Sequence, residues 1–169
     1  MLRAAPQARL ALCALGLADA GTRERLLRRF AARGIEPQRL LLLPPRASLA
    51  ELLGHYAQVD LALDPLPFNG GTTTLQALGQ GVPVVTLPGA ALQNRMGLSV
   101  LRALGLEQEL VARDAAHYVA IASGFTQQTA RLAELRGSLR GRLLATHALH
   151  PATFAEAFVE QLDRAVVRA

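Results

Sequence analysis

Asp60-Leu61-Ala62-Leu63-Asp64-Pro65-Leu66-Pro67-Phe68-Asn69-Gly70-Gly71-Thr72-Thr73-Thr74 is the stretch on which the fold turns. A short apolar run reads as a strand, and Pro65 and Pro67, which have no N–H to give a ladder, end it. Asn69-Gly70-Gly71 permits positive φ and close backbone approach, and the threonines can cap a helix that continues through Leu75 and Leu78. A strand passing through a tight turn into a helix is the unit of a parallel α/β sheet, whose ligands bind at the carboxyl ends of the strands. A helix N-terminus with free N–H groups and small hydroxyls beside it favours an anion. The same residue types also serve many turns purely to change direction, so by itself the turn fits either reading. It is not a Walker A loop, because no Lys follows the glycines, and it is not a G-x-G-x-x-G fingerprint.

Outward from this stretch, short apolar runs alternate with helical patterns, which predicts a parallel sheet with crossover helices. The expected strands are Arg9 to Leu15, Arg39 to Leu43, Val59 to Leu63, Pro83 to Leu87 and Leu110 to Ala112. Between the first two, Thr22 is expected to cap a helix burying Leu26, Leu27 and Phe30, with Gly34 as its left-handed stop before Pro37. Leu49, Leu52, Leu53 and Tyr56 have the spacing of a core-facing stripe on the next helix. After Asp114 the strands give out. From about residue 114 to 169 the chain reads as a helical tail, with one stripe at Leu132, Leu135, Leu139 and Leu143 and another at Phe154, Phe158, Leu162 and Val166 after Pro151. A chain of 169 residues with 51% hydrophobic content is expected to form one domain over its whole length.

Composition excludes several classes of function. The net charge is +5, and all 18 basic residues are Arg, but they are spread over the helices and aromatics make up only 4%. That argues against nucleic-acid binding, for lack of stacking platforms. The single Cys13 rules out an internal disulfide and a Cys-rich zinc site, and its neighbours Leu12 and Leu15 predict a buried thiol in a reducing cytoplasm. No run reaches the ~20 apolar residues of a membrane span. Arg3 and Arg9 before the apolar run Leu10 to Leu17, with Ala18-Asp19-Ala20 after it, imitate a signal peptide, but the same segment reads as the first strand. Asp60 and Asp64, with no His or third acid near them, make poor metal ligands, so no metal site is assigned. Asp64 is expected to cap the Pro-rich turn and Asp60 to end in a structural hydrogen bond.

Several blocks together resemble a known family. The quoted stretch is followed by Ala77 to Gly89 (A-L-G-Q-G-V-P-V-V-T-L-P-G), Arg95 to Ser99 (R-M-G-L-S), Leu104 to Leu106 (L-G-L), Glu109 to Ala112 (E-L-V-A) and Tyr118. In order and spacing these resemble the C-terminal catalytic lobe of the O-linked N-acetylglucosamine transferases and SPINDLY proteins. Ala4 to Leu12 and Gly34 to Pro44 resemble the same lobe's early strands, so the likeness covers nearly the whole chain.

The resemblance implies the C-terminal, Rossmann-like half of a GT-B fold, in which two lobes enclose a nucleotide-sugar donor. It implies an inverting, metal-independent transfer to protein Ser or Thr hydroxyls, with UDP-N-acetylglucosamine as donor substrate and no cofactor. Thr72 and Thr73 would hold the diphosphate, Gly70 would keep the approach open, and Asn69, Gly71, Gln76 and Ala47 complete the candidate donor site. Pro44 to Ala47 would border the base. The sequence departs from the family where Gly71 replaces a His and Gln76 an acidic residue that meets the ribose hydroxyls. The family's His on the helix after Pro45 corresponds to Leu52, and His55, nearly one turn later, reads as a surface residue. No Lys is present, although the family uses one on the donor phosphates. No general base is assigned, with His117, His147 and His150 read as solvated or structural. The chain is therefore expected to need an N-terminal lobe for activity and to self-associate, as a homodimer, through its last helix. The rival reading is a stand-alone binding or interaction module that has kept the fold and lost catalysis.

Overall fold

A computed structural model describes residues 1–44, 48–146 and 150–167. The elements run β1 (Leu10–Cys13), α1 (Ala20–Ala31), β2 (Leu40–Leu43), α2 (Leu49–Gly54), β3 (Ala62–Leu63), α3 (Thr72–Gly79), β4 (Val84–Val85), α4 (Met96–Ala103), α5 (Glu107–Leu110), α6 (Ala115–Gly124), α7 (Thr129–Leu144) and α8 (Pro151–Val167). The class is α/β, as expected, and both strand pairs are parallel. Leu10 to Cys13 lie against Leu40 to Leu43 residue for residue, and Ala62 and Leu63 lie against Val84 and Val85.

The ladders are shorter than the sequence suggested, and they form two separate pairs. The expected strand Leu110 to Ala112 is a single bridge from Val111 to Thr86, because Leu110 closes α5 and only then does the backbone extend. Two bonds hold that bridge: Thr86 N–H donates to Leu110 O (3.0 Å) and Ala112 N–H to Thr86 O (2.8 Å).

Helices follow the sequence more closely. α1 half-buries Leu26, Leu27 and Phe30, and Gly34 has φ +73°. Its cap is Asp19, whose carboxylate accepts from Thr22 N–H at 2.7 Å, so Thr22 is the capped residue and not the cap. The segment that imitates a signal peptide forms β1 and this cap. On α2, Leu52 and Leu53 are half-buried but Leu49, at its first residue, is exposed; the helix stops at Gly54, and a 3-10 turn over His55–Gln58 carries the half-buried Tyr56.

The main core gathers α3, β4, α4, α5 and α7 around Leu78, Leu101, Leu110, Leu135 and Leu139, all fully buried. Each such side chain contributes about 1.5–3 kcal/mol by burial. A second, smaller cluster, Leu2, Ile35 and Leu40, lies with β1, β2 and α1. Arg39 ties the N-terminal turn to it by donating to the carbonyls of Leu2, Ala5 and Ala8.

Candidate functional site

β3 ends at Leu63, and the loop Asp64 to Gly71 carries the chain to the first turn of α3. Asp64 is the pin of that loop. Buried at 3% exposure, it accepts from Gly70 N–H (2.6 Å) through Oδ1 and from the Thr86 hydroxyl (2.6 Å) through Oδ2. Its carbonyl accepts from the Tyr118 hydroxyl at 2.8 Å. Burial raises the Asp64 pKa above the ordinary value of 3.8, and the bonds from Thr86 and Gly70 work against that rise. Burial likewise raises the Tyr118 phenol, helped by the Asp64 charge. Asp64 thus caps the turn as read. Asp60, expected to find a structural partner, is exposed and makes no hydrogen bond among the described residues.

Glycine is required in this loop for proximity and not for φ. Neither Gly70 nor Gly71 has a positive φ. A Cβ on Gly70 would stand 2.5 Å from Thr73 Oγ1 and 2.8 Å from Thr74 Oγ1, whereas one on Gly71 meets only Met96 Cε at 3.7 Å. Gly97, in the first turn of α4, is equally constrained, since a Cβ there would come within 2.6 Å of both Asp64 Oδ2 and Thr86 Oγ1. The N-termini of α3 and α4 therefore converge at the carboxyl ends of β3 and β4. That of α4 lies against the Asp64 carboxylate.

The α3 N-terminus is open. Its N-cap is Gly71, with no side-chain cap, so the threonines do not cap the helix: they form its first turn. Thr74 is buried and donates to Gly70 O at 2.9 Å. Thr72 and Thr73 are exposed, and their hydroxyls take no protein partner among the described residues. With no acceptor among the described residues, their N–H groups leave the helix's positive end facing outward.

Of the other candidates, Gln76 is half-buried one turn along α3 and lines the same large cavity as Thr73. Asn69 is 1% exposed. Its N–H donates to Gln93 O and its amide to Pro65 O, each at 3.2 Å, while Oδ1 is buried without a partner. Asn69, Gly70, Gly71, Thr72, Thr73 and Gln76 are thus brought together on one loop and helix start. Ala47 lies outside the described residues, as does His147. His117 accepts from Arg113 N–H, and His150 meets Leu144 O. His55, read as a surface residue, is buried at 6% exposure in the cavity wall. Cys13, expected to be buried, is exposed at the end of β1. Among the described residues no three His, Cys, Asp or Glu side chains group as metal ligands, and no helix is long and apolar enough to cross a membrane.

Sequence reasoning missed Thr86 and Gly97, which hold Asp64. The signal was there: a polar Thr closing the apolar run Val84-Val85, and a Gly opening an apolar helix.

Parallel strands deliver a Gly-rich turn and an open helix N-terminus to one edge of this α/β lobe, the edge at which open α/β sheets in general hold their ligands. Residues 1–155 match the model of glycosyl transferase family 41, and the chain belongs to that family of glycosyltransferases. It is 36% identical over 140 residues to the probable UDP-N-acetylglucosamine–peptide N-acetylglucosaminyltransferase SPINDLY of Solanum lycopersicum, covering 83% of this chain and 15% of that protein. To the UDP-N-acetylglucosamine–peptide N-acetylglucosaminyltransferase of Caenorhabditis elegans it is 35% identical over 107 residues, covering 63% of this chain and 9% of the relative. Among solved structures, a mutant O-GlcNAc transferase of Thermobaculum terrenum superposes with a TM-score of 0.84 at 42% identity, over 93% of this chain and 31% of that one. The chain thus spans a minor part of each of these relatives.

Proposed function

We propose that residues 1–169 form one donor-binding lobe of a cytoplasmic, inverting and metal-independent protein O-glycosyltransferase, with UDP-N-acetylglucosamine as the donor. The observation that carries this reading is the open N-terminus of α3, with Thr72 and Thr73 in its first turn and Gly70 held to the Asp64 carboxylate. When an acceptor Ser or Thr oxygen attacks the anomeric carbon from the far side, the bond from that carbon to the diphosphate oxygen breaks and charge builds on the departing diphosphate. The N–H groups and hydroxyls of Thr72 and Thr73 are placed to stabilise that charge, and because Asp64 fixes the loop they need little reorganisation to do so. Gln76, uncharged, would offer an amide to the ribose hydroxyls. The acceptor-binding groups and the general base belong to a second lobe, so this chain transfers no sugar by itself.

The test is an NMR titration of the chain with UDP and GDP. Shifts confined to Gly70 to Thr74 and Gln76 support the reading, with affinity lost in Thr73→Glu, which puts an acid against the diphosphate while circular dichroism stays unchanged. Absence of shifts there with either nucleotide, or unchanged affinity in the folded variant, sinks it and leaves a non-catalytic binding module.

A further inference from the structure

Three helix N-termini meet at Asp64. Its Oδ1 takes the Gly70 N–H just ahead of α3, and a Cβ on Gly97, in the first turn of α4, would stand 2.6 Å from its Oδ2. Tyr118, in the first turn of α6, holds its carbonyl. The remaining partner is Thr86, fully buried where β4 ends, whose hydroxyl donates to Asp64 Oδ2 at 2.6 Å. Both peptide groups of Thr86 are taken up by the bridge to Leu110 and Ala112, so its backbone is fixed and its hydroxyl has Asp64 as its one partner among the described residues. No guanidinium shares the Asp64 carboxylate among the described residues. α3 carries no titratable side chain. Arg95, at the N-cap of α4, gives its side chain to Gly89 O, and Arg102, in that helix's last turn, pairs with Glu107 of α5. The other carboxylate of α5, Glu109, is tied to Arg131. From α6 come Tyr118 and, at the start of the helix, Asp114 and His117, which bond to each other and to Arg113.

A buried carboxylate with no cation beside it stays charged through the hydrogen bonds it accepts. Here these come from Thr86 and Gly70, and burial opposes them. The bond from Gly70 is charge-assisted, about twice as strong to a carboxylate as to a neutral acid. Protonation of Asp64 therefore slackens the bond that fixes the turn ahead of Thr72 and Thr73. We propose that Thr86 is a positioning residue for the donor: its hydroxyl keeps Asp64 ionised, and so sets the acid limit below which the turn before α3 releases a nucleoside diphosphate. The inference rests on the reading that Thr72 and Thr73 hold that diphosphate. Serine at this position can make the same bond. Valine, of the same shape, cannot, and a carboxylate left with one of its two side-chain bonds takes up a proton at higher pH. Gly97 serves the same pair, because a side chain there would occupy the space of the Thr86 hydroxyl and the Asp64 carboxylate.

Calorimetric titration with UDP from about pH 4 to pH 8 tests it, on wild type, Thr86→Ser, Thr86→Val and Asp64→Asn. Asp64→Asn has nothing to titrate at this position. Dividing each affinity by that of Asp64→Asn at the same pH cancels the titration of the UDP phosphate, of Asp114 and of His117. The divided wild-type profile should fall toward acid as the carboxyl ¹³C signal of Asp64 titrates, and Thr86→Ser should follow it. The Thr86→Val profile should fall about one to two pH units higher, the effect of one hydrogen bond to a carboxylate. Circular dichroism at each pH checks the fold. A Thr86→Val profile that coincides with wild type overturns the proposal. So does a Thr86→Ser profile displaced as far as that of Thr86→Val, which would assign the effect to packing. Should Thr86→Val not fold, wild type still decides, since an affinity that does not fall as the Asp64 signal titrates also overturns it. UDP binding by none of the four proteins sinks the donor-site reading and this inference with it, whereas ordinary binding with coincident profiles sinks the inference alone.

Discussion

Asp64 shows how much one buried side chain does for the candidate site. Replacing it with Ala leaves the Gly70 N–H and the Thr86 hydroxyl without their acceptor, and each buried orphan costs about 1–3 kcal/mol. Asp64→Ala should therefore lose about 2–4 kcal/mol in urea unfolding. Asp64→Asn, which keeps one oxygen for Gly70 N–H, should lose much less, and equal losses in the two would refute the role. The pH dependence has a fixed sign. Burial raises this carboxyl above 3.8 in the folded state, so the folded chain holds its proton to higher pH than the unfolded chain does. The stability of wild type relative to Asp64→Asn should then fall as pH rises above 3.8 and level off once the folded group has ionised. This capping role was legible, since an Asp at the head of a Pro- and Gly-rich turn has the N–H groups of that turn within reach, whereas its second bond, from Thr86 on the neighbouring strand's end, was not. The reason for the glycines was not: Gly70 is constrained by Thr73 and Thr74 hydroxyls in three dimensions, which composition alone renders as permission for positive φ. Cys13 and His55 were misplaced in opposite directions for a related reason. Whether each is covered depends on the cavity between β1 and β3, which local apolarity does not encode.

Among elements, the helices were legible because a period of 3.6 survives any tertiary arrangement, as the buried line Leu135, Leu139 and Leu143 on α7 shows. Strand lengths were less so, since a ladder ends where its partner does, and β3 and β4 pair over only two residues each. Leu110 was assigned to a strand on its apolar neighbours, yet it closes α5, whose Glu109 is tied to α7 instead. Arg131 donates twice to that carboxylate, at 2.7 and 2.6 Å, in a half-buried setting. The pair lowers the Glu109 pKa below 4.5 chiefly through the hydrogen bonds from Arg131. A depressed folded value means that the contribution is complete above 4.5 and disappears as pH falls through the lowered folded value. Glu109→Gln should cost about 1 kcal/mol near neutrality, measured by thermal unfolding, with the gap closing as the solution is acidified. A gap that stays constant down to strong acid would show that the ion pair contributes nothing there.

For the whole molecule, what remains to be covered is the stripe on α8. Phe154, Phe158, Leu162 and Val166 are 50–75% exposed, and the rings of Phe154 and Phe158 stack on each other at 6.1 Å instead of against the core. The stripe is not folded back onto the main core, which Leu135, Leu139 and Leu143 of α7 close instead. A line of large apolar side chains left in water is an association surface. The isolated chain should therefore self-associate, and light scattering after size exclusion should show a mass above 18.0 kDa that rises with concentration. Changing Phe158 and Leu162 together to Ser should return the chain to its monomer mass with little loss of core stability, since neither side chain is buried. If the wild type is monomeric at all concentrations, the stripe is not sticky enough to pair. If the double variant associates as before, the stripe on α8 is not the surface through which the chain pairs.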